Sequence, residues 1–163
     1  MGMKASSNFF KGTIGNPAAG DISFMSDNDV FQKNIRKRKD VDPDGKFDLI
    51  SHGKGDAIEL AQNGKRLLVN SRTVAKLLKT IPGYKKGQSI RLLSCNTGSL
   101  SQGFAQNLAN KLGVPVWAPN KYLWAYPSGK HFVAGMKIIN GKGYPNMSDM
   151  GRFIKFIPGG NRK

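Results

Sequence analysis

The sequence contains a single cysteine, Cys95, among its 163 residues, so no disulfide can form within the chain. A lone cysteine is either a small residue of the core or a free thiol with a chemical role. Long apolar runs are also missing, and no stretch reaches the roughly 18 apolar residues that a membrane-spanning helix needs. Zinc is disfavoured because one cysteine and two distant histidines, His52 and His131, lack any ligand spacing. We therefore expect neither a metal site nor a transmembrane segment.

Carboxylates are scarce and unevenly placed. The chain has 26 basic residues against 10 acidic ones, a formal net charge of +16. Every acid except Asp149 lies between Asp21 and Glu59, so residues 60–148 contain none. A charge this large favours anionic partners, such as nucleic acid, a polyphosphate, a membrane surface or an acidic protein. A solvated basic surface and a surface that binds an anion both remain open.

The pattern of apolar segments predicts one domain of the α/β class. Residues 1–20 are polar and Gly-rich and are expected to form a flexible N-terminal segment ahead of a single domain at 21–163. Apolar strands alternate with helical patterns between residues 47 and 118, which favours a mostly parallel central sheet flanked by helices. A hairpin turned at residues 127–129 is expected to extend the edge of that sheet.

Local signals predict where the helices begin and end. Ser71 and Ser101 are the expected N-caps of two helices, and Gly113 is the expected end of the second. A basic run at residues 33–39, with Phe31 at helical spacing, predicts a short surface helix.

Two residues with catalytic chemistry follow two of the predicted strands. His52 comes directly after the strand at residues 47–51, and Cys95 comes after the strand at 89–94. Functional groups collect outside the carboxyl ends of parallel strands, so neighbouring strands would bring the imidazole and the thiol together. A thiol beside a base is the minimum for nucleophilic catalysis. The backbone N–H of Gly53 could then donate to an oxyanion.

Several segments resemble one known family in the same order along the chain. Residues 47–54 look like the histidine segment of the cysteine protease domains in large clostridial glucosylating toxins, and residues 90–96 look like their nucleophile strand. Residues 116–122, followed by 128–130, are similar to their late strand and hairpin, and residues 154–158 to their final strand. The chain also resembles C-terminal modules of Rhs-type and contact-dependent polymorphic toxins.

The resemblance implies a caspase-like fold of the clan CD type and a His52–Cys95 dyad that cleaves peptide bonds. It implies a secreted or delivered bacterial toxin module that acts on a protein substrate in the cytoplasm of the target cell. In such domains an aspartate near the N-terminal strand orients the histidine, and Asp21 is the best positional candidate. No cofactor is required, but inositol hexakisphosphate bound to a basic pocket activates these toxins, and a similar polyanion would suit this basic chain. An acidic immunity protein is the expected partner of so basic a toxin.

Residues next to the dyad and two aromatic residues are the candidates for substrate binding. They are Ser51, Ser94, Asn96, Trp117 and Trp124. Because acids are nearly absent after Glu59, we expect an apolar or small P1 side chain rather than a basic one.

Two other function classes remain open. A metal-independent ribonuclease toxin could use His52 and His131 with nearby lysines, and the aromatic residues Tyr122, Trp124 and Tyr126 would suit RNA. The chain could also be a non-catalytic module that binds a polyanion, with Cys95 as a structural residue.

Overall fold

The structure, a computed structural model, describes residues 21–26, 28–42, 45–62 and 65–162. The expected flexible segment at residues 1–20 lies outside the described residues. None of the helices in this described part is long and apolar enough to cross a membrane.

Helices and strands alternate as an α/β pattern. The helices are α1 (Val30–Ile35), α2 (Ser71–Leu78) and α3 (Phe104–Leu112). The strands are β1 (Asp21–Ser23), β2 (Lys46–Ile50), β3 (Gly53–Lys54), β4 (Ala57–Gln62), β5 (Lys65–Val69), β6 (Ser89–Leu93), β7 (Val116–Pro119), β8 (Tyr122–Ala125), β9 (His131–Ile139), β10 (Lys142–Met150), β11 (Phe153–Ile157) and β12 (Asn161–Arg162).

A mixed central sheet organises the fold. Its six strands run in the order β1-β2-β6-β7-β11-β12. The first four strands are mutually parallel, whereas β11 and β12 pair antiparallel with their neighbours. Ile50 of β2 lies opposite Leu93 of β6, so the strands that precede His52 and Cys95 are direct neighbours.

One face of the sheet carries the larger core. Alternate residues of the strands, such as Leu49 and Leu92, point to this face and are fully buried. Helices α2 and α3 and strand β4 cover it with Leu78, Leu108 and Ile58. At about 25 cal/mol per Å² of apolar surface, this burial supplies most of the free energy that opposes chain entropy.

The other face is covered by α1 and by a separate three-stranded sheet of the order β10-β9-β8. Leu123 of β8 and Val133 of β9 pack there against Ile50 and Leu93. The expectation that this hairpin extends the edge of the central sheet is therefore wrong. Strand β11 already occupies the place beside β7, so the hairpin lies across the face instead.

Strands β9 and β10 continue as a ribbon that the sequence patterns do not predict. They join at Asn140 and Gly141, which both have positive φ, as a two-residue hairpin turn requires. Apolar side chains of the ribbon, including Ile138, are exposed. Pro145 lies in β10, the outer strand, opposite Met136.

Two predicted helix caps are wrong, one by one residue and the other by two. Asn70 rather than Ser71 caps α2, because its side chain accepts a hydrogen bond from the Thr73 N–H at 3.0 Å. Gly103 rather than Ser101 precedes α3 and makes no side-chain cap. The predicted end of α3 is confirmed, since Gly113 adopts a left-handed conformation with φ of 69°.

Candidate functional site

His52 and Cys95 lie at the same edge of the central sheet. Ile50 and Leu93 are paired in the β2–β6 ladder, and His52 and Cys95 each come two positions later. Because side chains alternate along a strand, both point to the same face as that pair. The pairing continues past the strand ends, because the Ser51 N–H donates to the Leu93 carbonyl at 3.3 Å. Neighbouring strands lie about 4.8 Å apart, so the two segments run side by side as the sequence predicts.

An acid contacts the histidine, and it is Asp29. The Asp29 Oδ2 atom lies 2.6 Å from Nε2 of His52. The His52 side chain is 41% exposed, whereas that of Asp29 is only 13% exposed. The histidine therefore has one ring nitrogen held by a mostly buried carboxylate and keeps access to solvent. This contact leaves Nδ1 as the ring nitrogen that could exchange a proton with a neighbour.

The local sequence explains why Asp29 stands there. Asp29 is the N-cap of α1, and its Oδ1 atom accepts a hydrogen bond from the Gln32 N–H at 3.1 Å. The two carboxylate oxygens thus have separate partners, one in the helix and one in His52. Sequence reasoning predicted a helix around Phe31 but missed its cap. The signal was the order Asp29, Val30, Phe31, Gln32, which is typical of a capping box.

Asp21, the expected orienting acid, is not in this position. It is paired in the β1–β2 ladder with Asp48, which comes four residues before His52 in the sequence. There it accepts a hydrogen bond from Arg38 at 2.8 Å, and Arg38 also donates to Asp48. Arg38 belongs to the basic run that was expected on the surface but is 5% exposed. A guanidinium so deeply buried needs carboxylate partners, which explains the placement of Asp21.

Cys95 is partly buried against the smaller core. Its neighbours there include Leu93 and Leu123. The Leu123 N–H donates to Sγ at 3.4 Å. Burial raises the pKa of the Cys95 thiol above its ordinary value, although the Leu123 N–H acts in the opposite direction. The sulfur is therefore a thiol at neutral pH until a base removes its proton.

The backbone N–H groups of Gly53 and Cys95 are not used by the neighbouring strands in the described part of the chain. The Glu59 N–H donates to the His52 carbonyl, so the next pair of the β3–β4 ladder, Gly53 with Ile58, is of the type without hydrogen bonds. The Gly53 N–H consequently points away from β4. The N–H of Cys95 donates to no group in the described part of the chain. Both N–H groups are therefore free of the ladders beside them.

Gly53 also has a steric reason to be glycine. A Cβ atom built on it would lie 2.8 Å from Cγ2 of Thr97 and 3.0 Å from the carbonyl oxygen of Cys95. The backbone after His52 therefore lies directly against the loop after Cys95. This contact is independent evidence that the two segments meet.

The loop after Cys95 turns sharply. Asn96 has a φ of 62°, its N–H donates to the Lys121 carbonyl at 2.9 Å, and its own carbonyl accepts from Ser99. Asn96 is partly exposed, so its side chain is available to a ligand.

The two predicted serines cannot line a substrate site through their side chains. Ser51 and Ser94 are 1% and 0% exposed and point to the opposite face from His52 and Cys95. The Ser94 hydroxyl contacts the Thr97 hydroxyl at 3.0 Å, whereas the Ser51 hydroxyl has no hydrogen-bond partner among the described residues.

The two tryptophans also lie elsewhere. Trp117 stacks under the ammonium groups of Lys46 and Lys155, at 4.3 and 5.1 Å from its ring centroid. It is paired with Arg91, four residues before Cys95. Trp124 follows Leu123 and points to the other face of β8, where its Nε1–H donates to the Ala134 carbonyl at 3.1 Å. Neither residue is brought beside Cys95.

His131 belongs to a second cluster. Its Nε2 atom lies 3.0 Å from Oδ2 of Asp40, which Arg91 also contacts at 2.8 Å. Burial would raise the pKa of Asp40, but the hydrogen bond and charge of Arg91, with His131, lower it to about 2. Arg91 in turn binds Asp48, which lies four residues before His52. The fold therefore gives each histidine its own aspartate rather than a shared site.

Lysines line a cavity on the far side of the central sheet. The cavity has a volume of about 500 Å³, and Lys79, Lys86 and Lys111 line it together with Tyr84 and Leu112. No carboxylate lines it, because residues 60–148 contain none. Among the described residues, no cluster of three His, Cys, Asp or Glu side chains could hold a metal ion.

A family model described as a domain of unknown function, DUF8616, matches residues 20–133. The matched range extends from β1 into β9 and includes Asp29, His52 and Cys95. No curated protein and no solved structure matches the chain significantly.

Proposed function

The chain belongs to the DUF8616 family, and we propose that it is a cysteine peptidase in which Cys95 is the nucleophile and His52 its base. The observation that carries the proposal is the contact between Asp29 and His52 at the sheet edge where Cys95 also lies. An acid, an imidazole and a thiol on neighbouring segments form the arrangement that nucleophilic catalysis needs. The caspase-like fold belongs to this proposal, supported by the order of the parallel strands and the position of both residues after them.

The chemistry follows from the contacts of each group. Asp29 holds Nε2 of His52, so Nδ1 accepts the Cys95 proton as the sulfur attacks the substrate carbonyl. The N–H groups of Gly53 and Cys95 then donate to the developing oxyanion, each worth about 3–4 kcal/mol. His52 returns the proton to the leaving amine, and the C–N bond breaks. Water hydrolyses the thioester and regenerates the thiol, with His52 again as the base.

The decisive experiment compares wild type with Cys95→Ala, His52→Ala and His131→Gln. Each purified protein is incubated with a peptide library and with the Cys95→Ala protein as a substrate, and new termini are identified by mass spectrometry. We expect new termini with wild type and His131→Gln and none with the other two variants. Cleavage that survives Cys95→Ala, or alkylation of the thiol that leaves activity intact, contradicts the proposal.

The same variants test the ribonuclease alternative. That reading needs both histidines and no thiol, so RNA degradation lost in His131→Gln and kept in Cys95→Ala would replace the peptidase. The separate pairing of His52 with Asp29 and of His131 with Asp40 favours the peptidase.

The polyanion activator and the acidic immunity partner are further parts of the proposal, as is delivery of the domain as a toxin. The net charge of +16 and the lysine-lined cavity support an anionic partner. A rise in the melting temperature with inositol hexakisphosphate, reduced in Lys86→Gln and unchanged in Lys137→Gln, is the expected result. Equal shifts in the melting temperature of wild type, Lys86→Gln and Lys137→Gln would indicate nonspecific electrostatic binding rather than binding in the cavity.

A further inference from the structure

Gln32 is a buried polar residue that the proposed chemistry does not use directly. It is 1% exposed and lies in the first turn of α1, three residues after Asp29. Burying an amide costs free energy unless its donor and acceptor both find partners. Both groups of Gln32 do. Its Nε2 donates to the Ser26 carbonyl at 2.8 Å, and its Oε1 accepts from the Ser23 hydroxyl.

These partners are not the ones that the sequence pattern predicts. In a capping box the side chain of the residue at this position turns back to the N–H of the cap. Here the Asp29 N–H donates to the Ser26 carbonyl instead, at 3.2 Å. The Gln32 side chain is thereby turned inward, toward the end of β1. Only its backbone N–H follows the capping pattern, on Oδ1 of Asp29.

The two inward bonds attach α1 to the end of β1. The helix has six residues and is too short to be stable without tertiary contacts. Gln32 joins it to Ser23 inside the sheet and to Ser26 after the strand, and the N-cap Asp29 lies between these anchors and His52. The Gln32 amide therefore helps to hold the carboxylate near the imidazole, beside the bond from Asn34 to the Ala125 carbonyl and the packing of Ile35.

We propose that Gln32 is a positioning residue, which acts through Asp29 to hold His52 as the tautomer with hydrogen on Nε2 and its Nδ1 directed to Cys95. The inference rests on the proposed function for its kinetic consequence, but not for its effect on the tautomer. Displacing a catalytic group by about 1 Å can cost a hundredfold in rate, so small movements of Asp29 would be measurable.

The test uses Gln32→Met, which keeps the side-chain length and removes both hydrogen bonds. The matched control is Gln106→Met, because Gln106 is also fully buried and donates to the Ile157 carbonyl at 2.8 Å, on the other face of the sheet. Both variants should lower the melting temperature. Only Gln32→Met should change the site. If that variant does not fold, Gln32→Glu, which keeps the acceptor for Ser23 and loses the donor to Ser26, replaces it.

Two measurements report on the site. Long-range ¹H–¹⁵N correlation spectra, at a pH where imidazoles are neutral, identify the His52 tautomer, with His131 as an internal reference. The rate of Cys95 alkylation by iodoacetamide reports on the thiol without any knowledge of the substrate, because the chain has one cysteine. We expect a mixed His52 tautomer, about tenfold slower alkylation and a 10- to 100-fold lower kcat with KM little changed.

The inference is overturned if Gln32→Met keeps the wild-type tautomer and alkylation rate although the separate variant Asp29→Asn changes both. Failure of the proposed function gives a different result. In that case wild type and His52→Ala would be alkylated at the same rate and cleave nothing, while the tautomer would still depend on Gln32.

Discussion

Asp29 and Asp21 differ in role because the fold gives them different partners. Asp29 is the N-cap of a helix that begins beside the carboxyl end of β2, so it contacts His52. Asp21 is inside the β1–β2 ladder, where a buried guanidinium needs carboxylates. A sequence pattern can identify a cap, but it cannot identify what the free oxygen of that cap will contact. For this reason the sequence predicted that His52 and Cys95 follow two strands of one sheet, but not which acid contacts His52.

Gly53 should tolerate no side chain. In Gly53→Ala the new methyl group would lie 2.8 Å from Cγ2 of Thr97 and 3.0 Å from the carbonyl oxygen of Cys95. The carbonyl oxygen is a backbone atom, so it cannot move away without shifting the loop. We expect a loss of about 1–3 kcal/mol in the free energy of unfolding, measured by urea denaturation, and slower alkylation of Cys95. Asp56→Ala, in the exposed turn of the same hairpin, should leave both unchanged. A Gly53→Ala protein as stable as wild type would contradict the close approach.

The pH dependence of Cys95 should reveal its burial once His52 is removed. Burial raises the pKa of the thiol, so in His52→Ala the alkylation rate should rise with pH and reach its midpoint above the ordinary value of about 8.5. In wild type, Cys95 should also be alkylated at neutral pH, because the His52 imidazole can accept the thiol proton. A midpoint at or below the ordinary value in His52→Ala would mean that the sulfur is solvated.

At the scale of secondary-structure elements, the pairing of the apolar strands was predictable from the sequence. The position of the hairpin that covers one face of the central sheet was not. The strands before His52 and Cys95 are short apolar runs bounded by turn residues, and such runs leave few alternatives to a buried parallel pair. The β8–β9 hairpin was also recognised, but its location depends on β11, which arrives later in the sequence and fills the place beside β7. The ribbon beyond Ala134 lacks the alternation of a half-buried strand, since residues on both of its faces are exposed.

The observed helix caps make a direct comparison possible. Asn70→Ala should cost about 1 kcal/mol, because it removes the acceptor of the Thr73 N–H. Ser101→Ala, at the position that the sequence favoured, should cost almost nothing because Gly103 precedes α3 without a side-chain cap. Chemical denaturation of the two variants beside wild type is sufficient. Equal losses would mean that α3 begins earlier than described.

At the scale of the whole molecule, the few carboxylates are concentrated where they neutralise buried cations. Asp48 contacts both Arg38 and Arg91, and Asp40 joins Arg91 to His131. Burial alone would lower the pKa of Arg91, but its hydrogen bonds to Asp48 and Asp40 raise it. In the described part of the chain, the lysines that contact carboxylates are Lys54, with Asp56, and Lys121, with Asp149. The net charge of +16 is therefore carried mostly by the surface.

This network predicts how stability responds to acid. Folding lowers the pKa of Asp40 to about 2, from about 3.9 in the unfolded chain. The contribution of Asp40 to the free energy of unfolding is therefore complete above about pH 3.9 and is lost as the pH falls toward 2. Because the Asp40 side chain is 52% exposed, solvent limits the effect to less than about 1 kcal/mol. Asp40→Asn should therefore flatten the dependence of unfolding free energy on pH between about 4 and 2. Asp56→Asn, whose carboxylate is 70% exposed, should not.

Pro145 has a consequence for how copies of the protein meet. The outer strand of a sheet offers a row of N–H donors to any incoming strand, and the ribbon adds exposed methionine and isoleucine side chains that would strengthen such pairing. Pro145 faces Met136 in a ladder position without hydrogen bonds, so its nitrogen points outward and interrupts the donor row near the middle of β10. An incoming strand would therefore meet an interrupted row of donors, which disfavours the pairing of copies along β10.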